Sequence, residues 1–305
     1  MVNRKFFYIS SIALFALLIL FHNPSEAQSK TKNKKIKILL IDGRSVNHPQ
    51  WQSWTPLLLK QLDDSGLFLV DNYTAAPEGE SLEDFNPLFN RYDVVITTYD
   101  GASWPNRIKR SLEGYIRRGG GLVVVHAADN AFPQWYVYNK MIGLGGWGNR
   151  NENAGAYRYI DSEGRIIIDG SPGPAGHHGP RHSFVINTYS KKHPIMRGIP
   201  DAWLHLSDEL YGKLRGPGEA MTILATAYSD PEFEGTGRNE PVLMTTTFGV
   251  GRVFHTTLGH DNLAISCVGF MTTFVRGCEW ANDGEVTFPI PENFPTKNST
   301  SSLEY

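Results

Sequence analysis

Short runs of branched apolar residues alternate with amphipathic segments through the first half of the chain. The runs predict buried strands at residues 36–41, 68–73, 92–98 and 122–125. Apolar residues at helical spacing predict helices over residues 54–62 and 104–118, and the second ends in Arg117-Arg118-Gly119, a basic last turn followed by glycine. This alternation predicts an α/β fold, a parallel sheet with helices on both faces.

The middle of the chain loses this periodicity. Residues 143–179 are rich in Gly, Asn, Pro and His. A long insertion of this kind in a compact domain is usually functional. Within and after the insertion, short apolar runs predict a hairpin of strands 157–160 and 165–168, then a strand at 183–187.

Strand and helix patterns return in the last third. Strands are predicted at residues 221–227, 241–247 and 252–256, with a hairpin turn at 248–251, and a helix at about 264–281. The domain is therefore expected to span residues 36–283. The tail, residues 284–305, is rich in Pro, Asn and Ser after Pro289 and is expected to wrap loosely or be disordered.

The first 27 residues have the pattern of a secretory signal peptide. Arg4 and Lys5 give a charged start, residues 6–21 are apolar, and Ser25-Glu26-Ala27 is a small-x-small cleavage pattern. Cleavage after Ala27 would give a periplasmic or secreted protein with no stable membrane span. The alternative is an uncleaved membrane anchor, although the apolar run is somewhat short for a span.

The two cysteines of this exported chain are not expected to pair. Cys267 and Cys278 both fall in the predicted helix of residues 264–281. Their separation along a helix is about 16 Å, whereas a disulfide needs Cα atoms within about 7 Å. Two free, buried cysteines are therefore predicted.

Charge and missing motifs exclude several classes of function. The formal net charge is −2, which gives no electrostatic case for binding nucleic acid. The chain has no Gly-x-Gly-x-x-Gly after its first strand, no phosphate-binding Gly-x-x-x-x-Gly-Lys-Ser/Thr loop and no Gly-x-Ser-x-Gly elbow. A nicotinamide-binding domain and a serine hydrolase are therefore not expected.

Candidate chemistry lies at predicted strand ends and beside the glycine-rich insertion. His126 directly follows the buried run at 122–125, at the sheet edge where α/β folds bind ligands. The candidate catalytic residues are His126, Glu209 and His260. Candidate substrate-binding residues are Asp42, Arg44, Asp129, Trp147 and His178, with the glycine-flanked Trp147 suited to stacking on a sugar.

Histidine and carboxylate together are also the ligand set of zinc and similar divalent ions. The candidate metal ligands are His126, His182, Glu209 and His260. No local motif such as His-Glu-x-x-His supports a metal, and the same side chains without a metal suit general acid–base work. The alternatives are a structural role for His126 and a solvated polar loop around His177–His182.

Several motifs together resemble the ThuA-like (trehalose utilisation) family. They are Gly119-Gly120-Gly121 with the strand to His126, Trp135–Tyr138–Met141–Ile142–Gly143, His193-Pro194-Ile195, Trp203 with Asp208-Glu209-Leu210-Tyr211, residues 251–261, and Glu279-Trp280-Ala281. The resemblance covers about residues 36–283. It implies a flavodoxin-like, class I glutamine amidotransferase-like α/β fold and a role in carbohydrate or 3-keto-sugar metabolism.

The resemblance also bears on His126. Amidotransferases of this fold place a nucleophilic cysteine at the sharp turn after the strand that corresponds to residues 122–125. This chain has His126 there and no cysteine, so glutaminase chemistry is not expected. The role implied for His126 is that of a ligand, a base or an orienting group.

Three functions remain open from the sequence. The first is an exported sugar-processing enzyme, a hydrolase, lyase or isomerase, with a small carbohydrate as substrate. The second is a non-catalytic carbohydrate-binding protein on the same fold. The third is a metal-dependent hydrolase of another substrate class.

Overall fold

The computed structural model describes Met1, residues 34–43 and residues 51–305. Apart from Met1, the predicted signal peptide lies outside the described residues, and so does Arg44. Among the residues described, no helix combines the length and the apolar character needed to span a membrane. The compact unit is formed by residues 35–305.

The described residues form twelve strands of one sheet and five α-helices. The strands are β1 Ile36–Asp42, β2 Phe68–Thr74, β3 Val94–Thr97, β4 Gly121–Val125, β5 Ala156–Ile160, β6 Ile166–Asp169, β7 His182–Thr188, β8 Ala202–Asp208, β9 Arg215–Gly216, β10 Thr222–Tyr228, β11 Asn239–Phe248 and β12 Gly251–Thr256. The helices are α1 Trp51–Asp64, α2 Asn106–Arg117, α3 Tyr136–Ile142, α4 Asn262–Ser266 and α5 Val268–Asp283.

The sheet is mixed, and its two halves differ in strand direction. Strands β2-β1-β3-β4-β12 are parallel, whereas β11-β10-β7-β8 continue the sheet in antiparallel pairs. The change of direction occurs at the predicted hairpin, because Phe248 pairs with Gly251 across a two-residue turn. A tight turn of this length can join only antiparallel strands.

Helices cover both faces of the parallel half, as the sequence predicts. In β1, Ile38 and Leu40 pack in one core with α1 and α5, while Leu39 and Ile41 pack in a second core with α2 and α3. Alternate side chains of a strand point to opposite faces, so a strand buried on both faces is apolar throughout. The α/β fold class is confirmed.

The insertion contains the predicted hairpin. β5 and β6 pair antiparallel, from Tyr157 with Asp169 to Ile160 with Ile166. β5 also pairs with β9 and, through Ile160 and Asn239, with β11. The insertion is therefore tied to the sheet by backbone hydrogen bonds.

The helix predicted at residues 264–281 is in fact two helices. Cys267 separates α4 from α5 with extended backbone angles, φ −59° and ψ 125°. The apolar spacing continues across the break, so periodicity alone does not reveal it. Cys267 and Cys278 are both free and buried, which confirms the prediction for the cysteines.

The prediction of a loose tail is wrong. Thr296 O accepts a hydrogen bond from Leu204 N at 2.8 Å, and Leu303 N donates to Ser266 O at 2.8 Å. Phe294 and Leu303 pack against the core. The polar composition of the tail gives no sign that Phe294 and Leu303 are packed in this way. Burial of these two side chains offsets the entropy cost of ordering the tail.

Candidate active site

His126, Glu209 and His260 come together at the carboxyl edge of the parallel strands. His126 directly follows β4, Glu209 follows β8, and His260 lies beyond the end of β12. One ligand atom from each lies within 4.8 Å of those of the other two, and within the described residues this is the single group of three or more His, Cys, Asp or Glu that could hold a metal ion. We call these three residues the His126–Glu209–His260 cluster.

His126 is held in an unusual backbone conformation. Its φ is +47°, in the left-handed region, and it opens a short 3₁₀ helix, His126–Asp129. A non-glycine residue at positive φ costs free energy, and such residues concentrate at functional sites. The sharp turn therefore aims the fully buried imidazole of His126 into the cluster.

The hydrogen bonds of His126 define the state of its ring. Nδ1 lies 2.7 Å from the carbonyl oxygen of Thr257. A carbonyl can only accept, so Nδ1 carries the hydrogen, and in the neutral ring Nε2 presents its lone pair. Nε2 lies 3.0 Å from the Tyr211 hydroxyl and 3.7 Å from Glu209 Oε2.

Tyr211 acts as a hydrogen-bond donor in this arrangement. Burial, followed by the negative charges of Asp129 and Glu209, raises the pKa of Tyr211 well above its ordinary value. The hydroxyl therefore keeps its proton and can donate to Nε2 of His126. Its ring packs on that of His126, with 4.4 Å between the ring centroids.

The Glu209 carboxylate lies among three imidazoles. Oε2 is 3.0 Å from His260 Nδ1, and Oε1 is 3.9 Å from His178 Nε2. The side chains of Glu209 and His260 are 12% and 13% exposed, while that of His178 is 38% exposed. Glu209 and His260 therefore meet solvent, and His178 lies at the outer edge of the site.

Asp208 fixes the backbone on which Glu209 and His260 stand. Its Oδ1 accepts hydrogen bonds from Glu209 N at 2.8 Å and His260 N at 3.0 Å. Its Oδ2 accepts from Gly259 N at 2.8 Å and from His205 Nε2 at 2.9 Å. One buried carboxylate thus ties the end of β8 to the segment after β12.

The charge of Asp208 is stabilised from several sides. Burial opposes ionisation, but the hydrogen bond and charge of His205 and the Gly259 amide together lower the pKa of Asp208. Burial likewise opposes a charged His205, yet the neighbouring Cys267 and the Asp208 carboxylate raise the pKa of His205. We infer that the buried pair is ionised at neutral pH.

A second histidine–carboxylate pair lies close by but is closed to solvent. Asp129 Oδ2 is 3.3 Å from His255 Nε2, and both side chains are 0% exposed. His255 Nδ1 donates to Ile142 O at 3.0 Å. Asp129 is a predicted substrate-binding residue. In the structure its contact with His255 joins the turn after β4 to β12, and His255 in turn contacts the end of α3 through Ile142.

Asp100 is an acidic neighbour of that pair. It lies just past the end of β3 and is 7% exposed. Burial, with the charge of Asp129 as the second cause, raises the pKa of Asp100 to about 7. The carboxyl edge of the sheet therefore includes a buried carboxyl group, that of Asp100, whose pKa lies near neutral pH.

The other predicted site residues fall in different places. Asp42 is buried at the end of β1 and accepts a hydrogen bond from Thr55 Oγ1 at 2.6 Å. Trp147 is half-buried and packs on Tyr211, with 4.6 Å between the ring centroids. His182 stacks on Phe233 at 4.0 Å between centroids and is not part of the cluster, so the structure does not bring this predicted metal ligand to the others.

Tyr211 and the positioning role of Asp208 are absent from the sequence predictions. Both lie in the segment Asp208-Glu209-Leu210-Tyr211, from which Glu209 alone is predicted as a site residue. Because Glu209 and Tyr211 are two residues apart, an extended backbone would point them to the same side. That spacing is the signal that could have identified Tyr211.

Comparison with known proteins identifies one matching family. The sequence profile of the ThuA family, described as trehalose utilisation, matches residues 37–281. No match was found among curated proteins.

Two solved structures are similar over most of the chain. A ThuA-like protein from Parabacteroides merdae is 44% identical, with a TM-score of 0.85 over 88% of this chain and 98% of that one. A ThuA-like protein from Bacteroides uniformis is 14% identical, with a TM-score of 0.55 over 87% of this chain and 98% of that one. The second likeness concerns the fold alone.

Proposed function

This chain belongs to the ThuA family, and we propose that it is an exported enzyme of carbohydrate metabolism that acts on a glycoside or a 3-keto sugar. The observation that carries the proposal is the convergence of His126, Glu209 and His260. A carboxylate beside two imidazoles, partly open to solvent, supplies both a base and an acid. The family description as trehalose utilisation supports a sugar as substrate.

A 3-keto sugar offers chemistry that suits these groups. The hydrogen on C2 is acidified by the neighbouring C3 carbonyl. Glu209 accepts this proton, the C2–H electron pair forms a C1=C2 double bond, and the C1–O bond breaks. The departing oxygen takes a proton from the imidazolium of His260, so the step is a balanced elimination.

As an alternative to direct acid–base work by Glu209 and His260, the donor set fits a divalent metal ion such as zinc. Two histidines and one glutamate form the ligand set of several catalytic zinc sites. Thr257 O holds Nδ1 of His126, which leaves Nε2 as the ligand atom, and ligating histidines commonly make such a second hydrogen bond. His126, Glu209 and His260 would hold the ion, which supplies Lewis acidity toward a substrate carbonyl when bound.

Turnover of 3-keto-glycosides by the mature protein tests this function. The protein should be purified without a histidine tag and assayed with 3-keto-glycosides and their parent glycosides, alongside elemental analysis. We expect turnover that His126→Ala abolishes and that His182→Ala retains. Absence of turnover on every substrate, or unchanged turnover by His126→Ala, would refute it.

Export is tested separately, because the leader lies outside the described residues. We expect the mature protein to begin at Gln28 when the full chain is expressed with a secretion system. Intact-mass measurement of the exported protein checks this. A protein that keeps Met1 and stays with the membrane fraction would contradict cleavage.

A metal-dependent hydrolase of another substrate class is the second candidate, favoured by the same His–Glu–His donor set. It would show a stoichiometric metal ion and turnover of an ester or amide substrate, with none on 3-keto-glycosides.

A further inference from the structure

A separate cavity lies beside the loop that follows Trp147. It has a volume of about 360 Å³ and is lined by residues of the 133–139 and 148–154 segments. Small-molecule sites occupy about 300–1,000 Å³, so the cavity has room for a compact ligand. None of the cluster residues His126, Glu209 and His260 lines it.

Amide side chains dominate the lining of this cavity. Those that face it include Gln134, Asn149, Asn151 and Asn153, all exposed. No hydrogen bond joins the side chains of Gln134, Asn149 or Asn153 to another described residue. An amide offers both donors and acceptors, which matches the dual character of a hydroxyl group.

The cavity has little to offer a charged ligand. Its lining residues, all within the described part of the chain, include no carboxylate and no lysine. Arg150 is 4% exposed, and its guanidinium donates to Asn139 Oδ1 at 3.0 Å and to the carbonyls of Asn130 and Ala131 at 3.0 Å and 2.7 Å. Its N–H groups therefore hold the loop instead of forming an anion site.

Tyr136 adds an apolar surface to the rim. Its side chain is among the most exposed large hydrophobic groups, at 63%, and it lines the cavity. An exposed aromatic ring beside several amides is a combination that suits a sugar, which has both apolar C–H faces and hydroxyl edges.

The backbone of the loop is held in a costly conformation. Trp147, Gly148 and Asn149 are consecutive residues at positive φ, +46°, +58° and +61°. Left-handed residues normally occur singly, and a run of them persists only where the surroundings impose it. This turn directs Trp147 toward Tyr211 and His178 while Asn149 faces the cavity.

We propose that the cavity bounded by Tyr136, Asn149 and Asn153 is a binding site for a neutral sugar ring. Two lining residues, Gly148 and Asn149, directly follow Trp147, whose ring packs on Tyr211 beside His126. The choice of a sugar rests on the proposed function. The site itself is tested by binding, which does not depend on turnover.

The experiment measures binding of trehalose, maltose and cellobiose by calorimetry and saturation-transfer NMR, with glucose 6-phosphate as a charged probe. The test variant is Asn149→Gly with Asn153→Ala, because glycine keeps the left-handed backbone at position 149. Tyr136→Ala is the second variant. Asn298→Ala, an exposed asparagine in the tail, is the matched control.

We expect at least one neutral disaccharide to bind to the wild type. Each test variant should bind it about tenfold more weakly, since one or two lost hydrogen bonds, or the lost aromatic ring of Tyr136, cost about 1–1.5 kcal/mol. Asn298→Ala should bind as the wild type. Glu209→Gln should retain this binding even where it has lost turnover, which separates the two proposals. Absence of neutral-sugar binding, equal affinity in the test variants, or tighter and Asn153-dependent binding of the charged probe would overturn the inference.

Discussion

Two histidine–carboxylate groups lie at the same edge of the sheet, and they differ in access. In the His126–Glu209–His260 cluster, Glu209 and His260 reach solvent and three ligand atoms converge on one space. In the His255–Asp129 pair both side chains are fully buried, and the ring nitrogens of His255 face Asp129 and Ile142 O. The first group can meet a substrate, whereas the second joins parts of the scaffold.

The difference shows that residue type alone does not make a site. Both groups include a residue of the 3₁₀ helix His126–Asp129, and both combine imidazole with carboxylate. In the cluster, one ligand atom from each of the three side chains points to the same space. In the closed pair, the two ring nitrogens of His255 are taken up by the carbonyl oxygen of Ile142 and the carboxylate of Asp129. Substitutions in the cluster should therefore reduce turnover, and substitutions in the closed pair should reduce stability.

Glu209→Gln and Asp129→Asn should have opposite consequences. Glu209→Gln removes the carboxylate of the cluster, and we expect a loss of turnover of about 10³-fold, as for a missing general base, together with weaker binding of added zinc. Asp129→Asn should leave the affinity for added zinc unchanged while lowering the free energy of unfolding by about 3 kcal/mol, because a buried partner is removed. Kinetics, zinc titration and urea denaturation measure the three effects. Similar stability losses in both variants would break the comparison.

Asp208→Asn should lower both the free energy of unfolding and the affinity for added zinc. The amide nitrogen of asparagine would replace one of two oxygens that accept from Glu209 N, Gly259 N, His260 N and His205. We expect a loss of about 4 kcal/mol in unfolding free energy, as for a broken buried pair. The folded fraction should also bind metal less tightly, because Glu209 and His260 lose their common support. Full metal affinity in the folded variant would limit Asp208 to a role in stability.

Asp100→Asn should change the pH dependence of stability near the closed pair. The pKa of Asp100 is raised to about 7, against 3.8 for an ordinary aspartate. Between these values the folded protein holds a proton that the unfolded chain has released, so the stability of the wild type falls as pH rises from about 4 to about 7.

Relative to wild type, Asp100→Asn should gain about 4 kcal/mol between pH 4 and pH 8, since each pKa unit corresponds to about 1.4 kcal/mol. Urea denaturation across this range measures the gain. The exposed Asp63→Asn serves as control. A flat difference between the Asp100 variant and the wild type would contradict the raised pKa.

His178→Ala should have the smallest effect and define the outer limit of the cluster. His178 is 38% exposed and its Nε2 lies 3.9 Å from Glu209 Oε1, too far for a direct hydrogen bond. We expect turnover to fall about fivefold with metal content unchanged, as for a weak, solvent-screened interaction of about 1 kcal/mol. A loss as large as that of Glu209→Gln would make His178 a fourth member of the cluster.

Much of the parallel half of the fold could be predicted from the sequence. The apolar runs of β1, β3 and β4 and the spacing in α2 are local patterns, and each maps onto an element within a few residues. The position of His126 at the end of β4 follows from the same local pattern. The break at Cys267 and the packed tail could not be found this way, because each depends on contacts with distant parts of the chain.

The sequence by itself determined the element types, the family and the set of histidines and carboxylates near strand ends, because strand period, helix period and motif order are written along the chain. Only the tertiary structure decided which of them meet. It placed His260 beside Glu209, closed Asp129 against His255, and left His182 stacked on Phe233. The reason is that access and convergence depend on how segments more than fifty residues apart are packed, which no local pattern records.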